Sequence, residues 1–424
     1  EPETENEFLE AADELEKAGG KWRAGDPVKA MRFFQKAIEI YDAGLQKWGV
    51  SFDLAYNKAL LQYQITQDHR ISHQLGNPQE LLQETLRAHR FALSLDQNNA
   101  DILFNTGQVL TSLAEAITEK RSNENAKVNA IRLLQEAGEL FSACLAHQEL
   151  DFSEYQAQTD AMNAHELSRE ARDVPDAKST EQVSTNEDMD TSSETSAPVE
   201  WATVLEPVSA STLLETVIAA LSALTTLVSL MMPAHDNSLA TLFEIATPLI
   251  KQKIPYYISL LSSEAEQETS LAIATFMSTM AEAEFRSGFT DIPTYQSSIA
   301  EAFESLTTNS SPSSSTPPKT DVLCAHADAL IAFAAAVADV SDPTPDAQGQ
   351  SAVVRWKALS KSQELLTAAA KAQDKGSTDM VTLYLTRGDV EVLRWRIASS
   401  PTASEGYRKH GDVLIKNAGV WYRG

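Results

Sequence analysis

The chain has 424 residues, enough for two or three compact domains unless a repeat architecture overrides that count. Its 34 Lys and Arg face 60 Asp and Glu, a formal net charge of -26, so the long-range field repels phosphate backbones and anionic headgroups and argues against direct nucleic-acid or membrane binding. The two cysteines, Cys144 and Cys324, lie far apart in Ala- and Leu-rich helical contexts, which speaks against a disulfide framework and for a reducing compartment, cytoplasmic and/or nuclear.

The N-terminus is dense in acids, eight between Glu1 and Glu16, and reads as a solvated helix entrance. Next, "EKAGGKWRAGDPVKAMRFFQKAIEI" places Ala18, Gly25, Asp26, Ala30, Phe34 and Ala37 as a pair of close-packed helices joined by a Gly-Asp turn would need them. A second helix pair follows with Ala59 and Ala92 in the small positions, then an Asp96-Gln97-Asn98-Asn99 turn. A third carries Gly107, Ala130, Leu134 and Ala137. Together these segments resemble the tetratricopeptide repeat (TPR) family, with three repeats over about Glu7 to Gln148. The insertions "DHRISHQLGNP" and "TEKRSNEN" depart from the family's even spacing.

Residues 1–171 are thus expected to form the TPR-like repeats, and 172–200 an acidic flexible linker in which eight acids from Asp173 to Glu200 face Lys178 alone. Residues 201–308 are expected to hold degenerate helical repeats, where Ala281 and Gly288 repeat the seven-residue step of Ala18 and Gly25. The apolar run Leu213 to Met232 is long enough to span a membrane. A polar stripe of Glu215, Ser222, Thr225, Thr226 and Ser229 marks it instead as a buried helix of a soluble protein. A Ser/Pro-rich loop, 309–320, precedes C-terminal helices over 321–424, which include a turn-rich connection at Ser341 to Gln350 and an Arg387-Gly388-Asp389 triplet read as helix rather than adhesion motif. The fold class is all-α: an α-solenoid of TPR-like helix-turn-helix repeats, degenerate in the C-terminal half.

No cofactor, metal or catalytic centre is expected. Gly19-Gly20-Lys21 lacks the strand and the Ser or Thr of a phosphate cradle. His69 and His73 lack further ligands beyond Asp68. The Cys144/His147 and Cys324/His326 pairs sit in apolar helical segments as core cysteines do. What remains is a surface.

In TPR proteins the first helix of each repeat lines a concave groove, and the resemblance places Leu15, Gly19 and Trp22 there from repeat one. Repeat two contributes Asp53, Tyr56, Asn57 and Tyr63, and repeat three Asp101, Phe104, Asn105 and Gln108. Aromatic rings beside amides and carboxylates suit an extended peptide bearing Lys or Arg, although the same rings could be inter-repeat core. The family's clamp for heat-shock chaperone C-termini is not expected, because its five positions read Leu15, Gly19, Asn57, Asp101 and Asn105. The reading is a non-enzymatic binding scaffold, an acidic escort or assembly chaperone for a basic client such as a ribosomal protein or histone. The alternatives are an adaptor in a larger complex and, less strongly, an enzyme or regulatory subunit. Nothing in the sequence specifies the oligomeric state.

Overall fold

The computed structural model describes residues 2–119, 123–170, 207–234, 237–261, 264–307, 319–340, 345–372, 380–401 and 403–423. No strand occurs among them. The helices are α1 (Glu5–Arg23), α2 (Pro27–Lys47), α3 (Phe52–Gln67), the single turn α4 (His69–Ser72), α5 (Pro78–Leu95), α6 (Ala100–Thr118) and α7 (Glu124–Glu170). They continue as α8 (Ala210–Met231), α9 (Ser238–Pro248), a π-helical turn (Leu249–Lys253), α10 (Ile254–Ser259), α11 (Glu264–Arg286) and α12 (Ile292–Thr307). The last are α13 (Thr320–Val340), α14 (Pro345–Lys371), α15 (Met380–Ala398), α16 (Glu405–Arg408) and α17 (Gly411–Trp421).

Local chemistry sets where the helices begin. Thr4 and Glu7 form a capping box that opens α1, and Lys21 and Arg23 complement the dipole at its other end. α2 and α5 start alike: Asp26 and Asn77 accept from the first-turn N–H groups, and Pro27 and Pro78 take positions where no N–H is needed. The Asp96 to Asn99 turn ends in an N-cap, the Asn99 side chain accepting from the Asp101 and Ile102 amides.

Each helix packs on the next, α1 on α2, α2 on α3, α3 on α5, and so on through α6, α7 and α8, then α11 to α15 and α17. The first helices of successive pairs, α1, α3, α6 and α8, also touch in series. This is an all-α solenoid of helix pairs. The expected small positions Ala59, Ala92, Gly107, Ala130 and Ala137 are all buried. The register of the first pair differs by one residue from the sequence reading: Gly19, not Ala18, receives the ring of the second helix. A Cβ on Gly19 would stand 2.5 Å from Phe34 Cε1, and one on Gly107 would stand 2.7 Å from Phe141 Cε1. In both pairs an aromatic ring fills the space that a glycine leaves.

The hydrophobic core does not break at 172–200. One cluster runs from Leu82 of α5 through Phe141 of α7 and Leu221 of α8 to Phe276 of α11. α8 buries Leu213, Leu214, Val217, Leu221, Leu224 and Val228, and turns Glu215, Ser222 and Ser229 outward, the stripe expected of it. By length and composition both α8 and α13 could cross a membrane; α8 packs on α7 and α11, and α13 on α14. Ala281 is buried in the α11/α12 pair, and Gly288, with φ +78°, closes α11 in the left-handed conformation. The linker 172–200 and residues 309–318 lie outside the described residues. The connection expected over Ser341 to Gln350 is shorter than its composition suggested, because Pro345 starts α14. Proline at a first helical turn loses nothing.

The Arg387-Gly388-Asp389 triplet lies within α15 and docks the C-terminal helix. Trp421 covers the Arg387 guanidinium at 3.7 Å, the Tyr422 ring lies against Gly388, and Tyr422 Oη donates to Asp389 Oδ1 at 2.5 Å.

At the other end, Asp68 ties α1 to α4. It accepts from Arg23 Nε at 2.9 Å and from Arg70 Nη2 at 3.2 Å. Burial pushes its carboxyl up, but the two guanidiniums outweigh burial and hold the pKa at about 2. The folded value lies below the unfolded one, so the stabilisation is complete above the unfolded pKa of roughly 4 and is lost as pH falls through the folded value. Asp68→Asn is expected to lower the Tm at pH 7, with the gap to wild type narrowing as the pH drops below 4. A gap independent of pH would show that the charge is not what matters.

Candidate functional site

Three helices of the solenoid, α3, α6 and α8, present side chains along one face. α3 carries Tyr56 and Tyr63 two turns apart. Asn105 Nδ2 donates to Tyr56 Oη at 3.2 Å, and Tyr63 Oη stands 3.3 Å from Ser112 Oγ. Both contacts join residues 49 apart, so α6 runs beside α3 in constant register. One helix further, Thr226 Oγ1 of α8 donates to Glu115 Oε1 at 3.4 Å. α3, α6 and α8 thereby enclose a cleft of about 370 Å³ into which Tyr63, Gln67, Gln108, Ser112, Glu115 and Ser222 project.

Burial, and after it the nearby Asp101 charge, pushes the Tyr56 phenol up to about 12, so its hydrogen stays on at neutral pH. Burial likewise raises Tyr63. Glu115 is exposed as a residue, yet its carboxyl is desolvated between α6 and α8; that raises its pKa, partly offset by the Thr226 hydroxyl. Among the described residues Asp53, Asp101 and Glu115 form no ion pair. Three carboxylates without cations, next to phenols and amides, form a surface suited to incoming ammonium or guanidinium groups.

The groove residues expected from the sequence divide. Asp101, Tyr56 and Asn105 come together, with Asp53 exposed one turn before Tyr56. Asn57 donates to the Asp53 carbonyl at 2.9 Å. Tyr63 and Gln108 line the cleft. Phe104 makes an edge contact with Phe141 at 5.9 Å and so belongs partly to the packing of α6 on α7. Trp22 stands apart on α1, with Lys29 Nζ of α2 3.3 Å above its ring. Leu15 packs on the N-terminal core and Gly19 is buried under Phe34. Ser112 and Glu115 were not anticipated. Their signal was present, because Asp101, Asn105, Gln108, Ser112 and Glu115 follow each other at steps of four and three along one helix face.

No family model matches the chain. A UPF0656 protein of Schizosaccharomyces pombe is 38% identical over 112 residues, which amount to 26% of this chain and 24% of that protein. The chain thus matches less than a quarter of the relative's length. Among solved structures, a circular tandem repeat protein with a novel repeat topology aligns over 99% of this chain and 76% of its own, at 11% identity and a TM-score of 0.26. The fold assignment rests on the helix packing described above.

Elsewhere, reactive side chains are held in packing. Cys144 is buried, its Sγ donates to the Ala100 carbonyl at 3.3 Å, and burial pushes its thiol up to about 11. His326 stacks on Phe303 at 4.8 Å, and burial lowers its pKa to about 4, with Lys361 adding to the shift. His69 and His73 are both exposed on the α4 turn, and among the described residues no group of three or more His, Cys, Asp or Glu could hold a metal ion.

Proposed function

We propose that the chain is a non-enzymatic, TPR-like binding scaffold that escorts a basic client, of the chemistry of a ribosomal protein or histone, on the face formed by α3, α6 and α8. The observation that carries this reading is the row of Asp53, Asp101 and Glu115, carboxylates without ion-pair partners beside Tyr56, Tyr63, Asn105 and Gln108. Lys and Arg of the client meet the carboxylates, and their aliphatic stems lie on the rings. The acidic stretch from Asp173 to Glu200 adds an attractive field of the same sign.

The test is binding of a labelled Lys/Arg-rich peptide to the full chain. Asp53→Lys with Asp101→Lys is expected to weaken binding by tenfold or more at low salt and by less at high salt, since screening acts over about 10 Å at 0.1 M. Both residues are exposed, so helicity should survive. Binding unchanged at every salt concentration sinks the acidic-face mechanism. A second reading, an adaptor within a larger assembly, is favoured by the apolar residues exposed on the last helices, Val381 and Leu385 of α15 and Val413 and Val420 of α17.

A further inference from the structure

The insertion at residues 68–77 has a structural result on the opposite sequence of helices. α4 packs against both α2 and α3, with Ile71 fully buried in the N-terminal core. α5 then packs on α3 and α6 but hardly meets α2. A groove is left between α2 and α5, floored by α3. Two clefts of about 320 Å³ and 150 Å³ lie along it and share Gln62 of α3 and Glu84 of α5. On the α2 wall Met31, Ile38 and Leu45 recur at steps of seven; Leu81 and Phe91 line the α5 wall. Phe91 is 42% exposed, a large ring without cover.

The groove's flanks are basic, in contrast to the rest of the chain. Lys29, Arg32 and Lys36 form a trough of about 390 Å³ along α2 that shares Gln35 with the groove, and Arg87 stands on the α5 side. None of these four cations has an ion-pair partner among the described residues; the acids lining the clefts, Glu39 and Glu84, face them, Asp26 caps α2 beside Lys29, and Lys58 and Asp42 pair with each other. A third observation is independent of charge: Gln62 Oε1, at the groove floor, is buried without a hydrogen-bond partner. A buried acceptor left unpaired is a standing cost to the fold, which a donor from an occupant would remove.

We propose that the α2/α5 groove docks an acidic amphipathic helix of a partner protein. Its apolar face covers Met31, Ile38, Leu81 and Phe91, its flanking carboxylates meet Arg32, Lys36 and Arg87, and a polar donor reaches Gln62. The chain's own acidic stretch has the charge but not the pattern, because Val174, Val183, Met189 and Val199 fall nine, six and ten residues apart. The molecule therefore has two faces of opposite preference. The groove shares no residue with the Asp53/Asp101/Glu115 row, so either assignment can fail alone.

The test uses the full chain and two fluorescein-labelled synthetic helical peptides of roughly 16 residues, with leucines at steps of three and four and either Glu or Lys on both flanks. In the Asp53→Lys/Asp101→Lys background, which removes the acidic face as a competing site for the Lys peptide, the Glu peptide is expected to bind at least about tenfold more tightly than the Lys peptide at low salt, with the ratio shrinking as salt rises. Arg32→Glu with Lys36→Glu, both exposed on α2, is expected to remove that preference while circular dichroism stays helical. Gln62→Leu is expected to weaken the Glu peptide at every salt concentration. Equal binding of the two peptides, no binding of either, or indifference to the Arg32/Lys36 reversal overturns the proposal. So does a zero-length carbodiimide cross-link in the free monomer between Lys36 and a carboxylate of residues 173–200, which would give the groove to the chain itself.

Discussion

Phe141→Ala is expected to cost about 3–5 kcal/mol, the range for deleting a buried phenylalanine ring. Phe141 is 1% exposed and fills the place that Gly107 leaves open on α6, with Phe104 edge-on at 5.9 Å. The site cannot collapse easily, because α6, α7 and α8 are held in one cluster by Leu110, Leu134 and Val217. The reciprocal change, Gly107→Val, pushes a branched side chain into the ring and is expected to cost about 1–3 kcal/mol by overpacking. Combining Gly107→Val with Phe141→Ala should cost less than the two separately, because each change relieves the other. Urea denaturation of the four proteins measures this cycle. Strict additivity would mean that the ring and the glycine do not share one space.

Arg394→Met is expected to destabilise the C-terminal helices by about 3–5 kcal/mol, as removal of one member of a buried ion pair does. Glu391 is 4% exposed and accepts from Arg394 Nη1 at 3.3 Å; Arg394 in turn lies 4.8 Å from the centre of the Trp356 ring. Burial raises the Glu391 pKa, against the pull of Arg394, an Asn417 hydrogen bond and Arg387. Without Arg394 the carboxyl must take up a proton or stay buried and charged. Glu391→Leu in the Arg394→Met background should restore most of the loss, because it removes the unpaired buried carboxylate and leaves only the half-buried Asn417 amide without its acceptor. A double variant no more stable than Arg394→Met would show that the arginine acts through its stacking on Trp356 instead.

The helical character and the pairing were legible because they rest on local signals. Asp26-Pro27 and Asn77-Pro78 announce helix starts by themselves, and Ala59, Ala92 and Ala137 announce close helix contacts. The candidate face was legible in part, through Tyr56, Tyr63, Asp101 and Asn105. What failed is what needs a partner helix to decide it. Ala18 and Gly19 are both small, and only the position of Phe34 selects Gly19. Trp22 was placed on the face by analogy with the family, and its contact with Lys29, 3.3 Å over its ring, has no signal of its own in the sequence. Glu115 was passed over because its surroundings in sequence, "TSLAEAIT", look like core, and its role arises when α8 arrives from beyond residue 200 with Thr226. The α2/α5 groove had no local signal, since the insertion at 68–77 reads as a longer loop rather than as a wedge.

α7 has a consequence for dynamics. Its 47 residues form one helix of about 70 Å at 1.5 Å per residue. Up to Gln148 it buries Ala130, Leu134, Phe141 and Leu145, whereas from Asp151 to Asn163 its side chains are exposed except for the half-buried Phe152 and Gln156. The backbone bonds are of one kind throughout, but tertiary packing supports the helix up to Gln148 and not from Asp151 to Asn163. Deuterium should therefore enter the amides after Asp151 nearly as fast as in a free peptide helix, while those before Gln148 wait for the core to open. One continuous ladder thus carries two exchange clocks, and the boundary between them falls where the solenoid ends beneath the helix, not at any break in the chain.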